Sequence, residues 1–173
     1  MQPNLTRATR VGVALLLGMV LSLCEASSSL AGCANFGAPI TLPTKLPVQD
    51  QFRAPLCIWC SGNRGIEYRT QPGTVVSAAA SGVVVFAGVV AGTNYVVIKT
   101  FRTIETQSNL LVTYGRMRLI AVTSGTVITA GQSIGTAGES LYIGVRIDGQ
   151  YTDPQQCAGL GMSGKPRAVL VAG

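Results

Sequence analysis

Residues 63–68 have the sequence NRGIEY, and residues 72–88 have the sequence PGTVVSAAASGVVVFAG. The first segment predicts a short strand. The Pro72-Gly73 pair predicts a turn, because proline fixes φ and glycine accepts a positive φ. The Val-rich remainder predicts a buried strand that leads into a glycine-punctuated hairpin. Together the two segments predict a β-sheet core near the middle of the chain.

The rest of the chain extends this β pattern. It has 173 residues, of which 47% are hydrophobic, 12% are charged and 21 are glycine, so extensive disorder is excluded and a turn-rich β protein is favoured. Only residues 116–120 have the pattern of a short helical turn. The sequence predicts an all-β fold, a single β-sandwich or barrel-like domain. The further predicted strands are Tyr95–Phe101, Leu110–Tyr114, Leu141–Ile147 and a β-turn-β element at Thr126–Thr136.

The N-terminus predicts export. Arg7 and Arg10 precede an apolar run, Val11–Leu23, that is shorter than the ~20 residues of a membrane-spanning helix. Small residues follow, so residues 1–31 are predicted to be a signal peptide. The expected division of the remainder is an extended, proline-containing lead-in (32–51), a β domain (52–158) and a C-terminal tail (159–173).

Cys33 allows two forms of export. Ser29-Leu30-Ala31 predicts cleavage before Gly32, whereas Leu30-Ala31-Gly32-Cys33 resembles a bacterial lipobox in which Cys33 would carry a lipid anchor. Several residues separate the apolar run from Cys33. This separation favours soluble export, and the lipid anchor is the alternative.

Four cysteines remain after export: Cys33, Cys57, Cys60 and Cys157. An even number in an exported chain predicts two disulfides, with three possible connectivities. The favoured pairs are Cys57–Cys60 and Cys33–Cys157. A four-thiolate zinc site or a redox Cys-x-x-Cys is less favoured, because no βαβ context accompanies the pair.

The charge of the chain limits its partners. The formal net charge is +6, and the chain contains no histidine. A mildly basic surface suits an anionic cell envelope. Nucleic acid is not predicted as a partner, because lysine and arginine are not clustered.

Residues 61–154 resemble the zinc-dependent peptidoglycan endopeptidases of the lysostaphin/LytM type, whose catalytic domain is a β core called the duplicated hybrid motif. The family pattern His-Arg-Gly-Ile-Asp-Tyr is matched by Asn63–Tyr68, and Pro72–Gly88 resembles the Pro-Gly-Thr segment that follows it. Val127–Gly135 is similar to the family's Val-x-x-Gly-Gln-x-Ile-Gly segment. Val145–Pro154 is similar to its closing strand and Asp-Pro.

The resemblance also implies that the catalytic positions have changed. Asn63 and Glu67 stand where the family has a metal-binding His and Asp, and Arg116 replaces the Tyr-x-His histidine. Ser140 and Tyr142 replace the two histidines of the His-x-His strand. Zinc catalysis needs about three protein ligands, and an arginine opposes a cation. The resemblance therefore implies that the family's zinc has been lost and that no cofactor is bound.

Glu67 has a second interpretation, a structural ion pair with Arg64 or Arg116. Other hydrolytic mechanisms have little support. Without histidine no nucleophile has that base to activate it, and a glycosidase needs two placed carboxylates.

We therefore expect an exported, peptidase-like domain without catalysis, secreted or in the bacterial cell envelope, that binds peptidoglycan or regulates a cell-wall hydrolase. The alternative is an active peptidoglycan metalloendopeptidase with a rearranged site. In the first case Arg116 would pair with a carboxylate of the stem peptide. Trp59 is a further candidate for ligand stacking. The residues expected to line the groove are Asn63, Tyr114, Arg116 and Tyr142.

Overall fold

The computed structural model describes residues 40–57, 59–101 and 109–158. These residues form nine strands and one short helix, so the all-β prediction is confirmed. The elements are β1 (Val48–Asp50), β2 (Gly65–Arg69), β3 (Val75–Ser77), β4 (Gly82–Val90), β5 (Thr93–Thr100), β6 (Leu110–Ile120), β7 (Val127–Ile128), β8 (Ser133–Ile147), β9 (Gln150–Thr152) and α1 (Pro154–Cys157).

The strands form one antiparallel sheet in the order β1-β2-β8-β6-β5-β4-β7. β8 is the longest, with 15 residues, and it pairs with β2, β3, β6 and β9. Side chains on β8 therefore have neighbouring strands on both sides. This central position makes β8 the strand on which a site can be built.

Alternate residues of β8 face the core and the opposite side of the sheet, as the period of two requires. Leu141, Ile143 and Val145 are at most 2% exposed. They pack with buried side chains from the neighbouring strands. We call the opposite side of β2, β8, β6 and β5 the groove face; on β8 it carries Ser140, Tyr142, Gly144 and Arg146.

The prediction of a helical turn at residues 116–120 is wrong, because this segment is the end of β6. Leu119 and Ile120 pair with Thr136 and Gly135 of β8. The local pattern was weak, and pairing with a distant strand satisfies the backbone of the segment instead.

Part of the predicted lead-in packs on the β domain. Ile40 is 2% exposed and its N–H donates to the carbonyl oxygen of Cys157 at 3.2 Å. β1 pairs with β2. The domain boundary at Phe52 stays a prediction, and the signal peptide, residues 32–39 and the tail lie outside the described residues.

The predicted Cys57–Cys60 disulfide is present. Cys157 is disulfide-bonded as well. Its predicted partner, Cys33, lies outside the described residues, as does the lipid attachment considered there. No helix within the described ranges is long and apolar enough to cross a membrane.

Candidate functional site: the groove face of the sheet

Three neighbouring strands bring the sequence-predicted positions toward one another. Tyr142 of β8 is in register with Glu67 of β2 on one side and with Gly115 of β6 on the other. Ser140 is paired with Arg69, two residues beyond Glu67 on β2. Residues in register across adjacent strands share a face, so Glu67 and Tyr142 project from the groove face together.

Arg116 lies where β6 and β8 lose their register. Gly115 pairs with Tyr142, but the next paired residue, Met117, lies opposite Ala137, so one residue of β6 faces four residues of β8. Arg116 has a φ of 60°, which is uncommon for a residue with a side chain. Such a conformation costs of the order of 1–3 kcal/mol and persists where the surrounding structure holds it.

The side chain of Arg116 bridges three strands. Its Nη2 donates to Oε1 of Glu67 on β2 at 2.6 Å, and its Nη1 donates to Oγ of Ser140 on β8 at 3.3 Å. The Arg116 side chain is 48% exposed and that of Glu67 is 15% exposed. We call these three residues the arginine bridge. Of the two partners predicted for Glu67, Arg116 is the one observed in this ion pair.

Asn63 does not present its amide to the groove. The residue is 7% exposed, its Nδ2 donates to the carbonyl oxygen of Gln51 at 3.0 Å, and its Oδ1 accepts from the N–H of Gly65 at 3.4 Å. Its backbone forms an antiparallel bridge with Arg53. Asn63 therefore fixes the start of β2, and the expectation that it lines the groove is wrong.

Tyr142 lies against glycines on its own and both neighbouring strands. A Cβ built on Gly144 would lie 2.5 Å from the Tyr142 Oη, and one on Gly65 would lie 2.6 Å from its Cε2. A Cβ on Gly115 would lie 3.2 Å from its Cδ1. The missing side chains at these three positions make room for the ring. Burial, chiefly, and the neighbouring phenols of Tyr151 and Tyr95 raise the pKa of Tyr142 to about 12, so its hydroxyl is neutral near pH 7.

These residues do not fit a catalytic zinc ion. The Glu67 carboxylate is engaged by a guanidinium, the Asn63 amide is engaged by backbone, and the raised pKa of Tyr142 disfavours the phenolate that would bind a metal. A second cation beside Arg116 would also be repelled. Within the described ranges, no three His, Cys, Asp or Glu side chains are grouped so that they could hold a metal ion.

A cleft of about 450 Å³ lies on the same face. Arg146 and Tyr151 belong to its lining, and the Arg146 guanidinium carbon lies 5.6 Å from the centroid of the Tyr151 ring. This distance permits a cation–π contact. We call this the aromatic cleft; its lining residues are Phe86, Val90, Ala91, Thr93, Tyr95, Val97, Thr113, Tyr142, Arg146 and Tyr151.

The sequence reasoning did not select Arg146, Tyr95 or Tyr151. A signal was available for Arg146, because the alternation in Leu141–Ile147 places it on the same face as Tyr142. Tyr95 and Tyr151 lie on other strands, so their approach depends on the pairing of β5 with β6 and of β9 with β8.

Two aromatic predictions have different outcomes. Tyr114 is 0% exposed and its hydroxyl accepts from the N–H of Ala79 at 2.6 Å, so it is a core residue and the expectation that it lines the groove is wrong. Burial raises its pKa. Trp59, beside the Cys57–Cys60 disulfide, is 93% exposed, and it is not part of the lining of the aromatic cleft. Its stacking role stays a prediction.

The described residues define an all-β domain with an open groove face on which Arg116 is bound to Glu67 and Ser140. The Peptidase family M23 model matches residues 61–154, which is more than half of the chain. The chain therefore belongs to Peptidase family M23. No significant match to a curated protein was found.

Solved structures share this fold at low identity. A mutant catalytic domain of the prophage-encoded M23 protein EnpA from Enterococcus faecalis is 23% identical, with a TM-score of 0.52 over 69% of this chain and 95% of that chain. Helicobacter pylori Csd3 is 23% identical, with a TM-score of 0.55, and the match covers 74% of this chain and 34% of that chain. A structure of a SpoIIIAH and SpoIIQ complex matches with 19% identity and a TM-score of 0.54, and the match covers 70% of this chain and 98% of that chain.

The chain thus spans about a third of the Csd3 chain that it matches. At these identities the likeness establishes the fold of the domain.

Proposed function

We propose that this protein is a non-catalytic M23 domain that is exported to the cell envelope and binds peptidoglycan, or a hydrolase that acts on it. One observation carries the proposal. The guanidinium of Arg116 is bound by Glu67 at 2.6 Å, at the point where the family resemblance expects a carboxylate to hold zinc.

The arginine bridge supplies a fixed positive charge next to Glu67. Zinc catalysis depends on an ion that keeps an open position for water and lowers the pKa of that water. A guanidinium has no open coordination position and stays protonated, so it can do neither. The family's catalytic step therefore has no counterpart among these residues.

The groove face itself is retained. β2, β8, β6 and β5 pair continuously across it, apart from register shifts around Met117 in β6 and between Asn94 and Tyr95 at the start of β5. The aromatic cleft is open and has the size of a small ligand pocket. A groove whose described residues form its walls but offer no set of three metal-binding side chains is suited to binding. The structure with SpoIIIAH and SpoIIQ is that of a complex, which supports including a protein partner in the proposal.

Two assays on the tag-free, exported form test the proposal. In the first, the protein is sedimented with purified murein sacculi, and we expect it in the pellet. An unrelated protein of similar size and charge is the control. Absence from the pellet at the control level contradicts direct binding, and stimulation or inhibition of a murein hydrolase then decides the regulatory form. No effect in either assay contradicts the proposal.

The second assay is a murein zymogram with and without a chelator, with an active M23 endopeptidase as the positive control. We expect no clearing at the position of this protein. A clearing band that disappears with the chelator would support the alternative, an active metalloendopeptidase with a rearranged site.

A further inference from the structure

Arg116 and Arg146, two arginines of the groove face, have different surroundings. Arg116 is neutralised by Glu67. Arg146 takes part in neither of the two salt bridges found among the described residues. It lies in the lining of the aromatic cleft, beside Tyr142 and Tyr151. A positive charge that faces apolar walls, with no salt-bridge partner in the part of the chain that the structure describes, can bind an anion.

Tyr151 lies close to two guanidinium groups. The guanidinium carbon of Arg64 is 5.5 Å from the ring centroid, and that of Arg146 is 5.6 Å from it. The contact with the ring orients the planar guanidinium of Arg146 and leaves its N–H edge for a ligand. A planar N–H edge matches the two oxygens of a carboxylate.

The remainder of the cleft is apolar or neutral. Phe86, Val90 and Val97 contribute hydrocarbon, while Tyr142 and Thr113 contribute hydroxyl groups. The hydroxyl of Tyr142 remains a hydrogen-bond donor near neutral pH, because it is not ionised there. The cleft thus combines one anion-binding edge, neutral donors and a surface for a small apolar group.

We propose that the aromatic cleft binds a free carboxylate carried next to a small apolar side chain, with Arg146 as the residue that binds the anion. The inference rests on the proposed function and deepens it, since it assigns the carboxylates of the peptidoglycan peptide as the recognised group. It also moves this role from Arg116, where the sequence placed it, to Arg146. An uncharged glycan would leave Arg146 without a counter-charge.

The experiment measures the affinity of two soluble probes by isothermal titration. The first is a disaccharide–tetrapeptide released from murein, with its carboxylates free. The second is the same fragment with its carboxylates converted to amides. The proteins are the wild type, Arg146→Gln, and Arg118→Gln as a control. Arg118 is an exposed arginine of β6 outside the cleft lining, so this control removes the same net charge.

We expect the wild type to bind the free acid about tenfold or more tightly than the amide. We expect Arg146→Gln to lose about tenfold or more for the acid and to bind both probes alike. A charge-assisted hydrogen bond contributes roughly 1.5–3 kcal/mol, and 1.4 kcal/mol is tenfold. Arg118→Gln should bind like the wild type. Arg146→Lys, which keeps the charge without the planar edge, should lie between, and it also serves if the glutamine variant does not fold.

The outcomes separate this inference from the function on which it rests. Equal binding of the acid by wild type and Arg146→Gln, with murein sedimentation intact, overturns the inference and leaves the proposed function standing. An equal loss in Arg118→Gln overturns it too, because net charge alone then explains the effect. Competition by inorganic phosphate as strong as that by acetate overturns the assignment to a carboxylate. Absence of the wild type from the murein pellet overturns this inference together with the direct-binding form of the proposed function, and the hydrolase assay then decides the regulatory form.

Discussion

Arg116 and Arg146 lie on the same groove face, yet one is bound within the protein and the other faces a cleft. Arg116 donates to Ser140 on β8 and, beyond it, to Glu67 on β2. Arg146 contacts the ring of Tyr151. A carboxylate satisfies the charge of a guanidinium, whereas an aromatic ring orients it and leaves the charge to attract a ligand. We infer that the first arginine maintains the groove and that the second binds its ligand.

The largest expected effect concerns the aromatic cleft, and it is measured by varying the pH. The pKa of Tyr142 is raised from 10.0 to about 12, chiefly by burial. The fold therefore favours the neutral phenol, and this contribution to stability is present below pH 10 and is lost as pH rises toward 12. At 1.36 kcal/mol per unit, the wild type should lose roughly 2–3 kcal/mol of unfolding free energy relative to Tyr142→Phe over that window. Urea unfolding of both proteins at several pH values measures it.

The phenylalanine variant is the control for every other titration, that of Tyr114 included, since both proteins share them. Parallel pH profiles for the two proteins would mean that the Tyr142 ring is not buried in the cleft.

Steric contact with Tyr142 gives the next effect. A Cβ on Gly144 would lie 2.5 Å from the Tyr142 Oη and 3.0 Å from two ring carbons. We expect Gly144→Ala to lower the free energy of unfolding by about 1–3 kcal/mol, as overpacking does. In a Tyr142→Ala background the same substitution should cost less than about 0.5 kcal/mol, because the ring that the new Cβ would meet is absent.

Gly88→Ala is the matched control for Gly144→Ala. Its Cβ would meet only the Phe86 ring, at 3.5 Å or more, so we expect little or no destabilisation. If Gly144→Ala costs the same with and without Tyr142, the ring does not occupy the space over Gly144.

Loss of the arginine bridge is expected to change the stability less. Arg116→Gln should lower the free energy of unfolding by about 1 kcal/mol or less, because the Arg116 side chain is 48% exposed and solvent weakens the pair. The loss should shrink at high salt. Arg116→Gly removes the same pair but accepts the φ of 60°, so it should be the more stable of the two variants.

Arg146→Gln provides the comparison, with an expected change within about 0.5 kcal/mol, since it removes no ion pair with a described acid. Greater destabilisation by Arg146→Gln than by Arg116→Gln would reverse the roles that we assign to the two arginines.

Zinc gives the smallest expected effect. A ligand at one hundred times its Kd would stabilise the fold by about 2.7 kcal/mol, so a retained site would be visible in the melting temperature. We expect no change in Tm of the tag-free protein on addition of Zn²⁺ or of a chelator, because Glu67 is already paired. If Zn²⁺ raised the Tm and the chelator reversed this rise, the conclusion that the Arg116 guanidinium takes the place of a metal ion beside Glu67 would be contradicted.

The sequence was sufficient for most of the strands. Alternation of apolar residues in Leu141–Ile147 is a local property of an extended chain, so the core face of β8 followed from it directly. The same alternation runs through β6, where Tyr114 lies two residues after the buried Val112 and so faces the core with it.

The absence of histidine and the identity of Glu67 were properties of the chain before it folded. Only the tertiary structure decided which arginine pairs with Glu67, which lies 49 residues away from Arg116. That choice depends on where β6 and β8 lose register, and register is set by pairing between distant strands. The approach of Tyr151 to Arg146 has the same origin, because a hairpin places them side by side. Residue identity determines which chemistry is available, and strand pairing determines which residues meet.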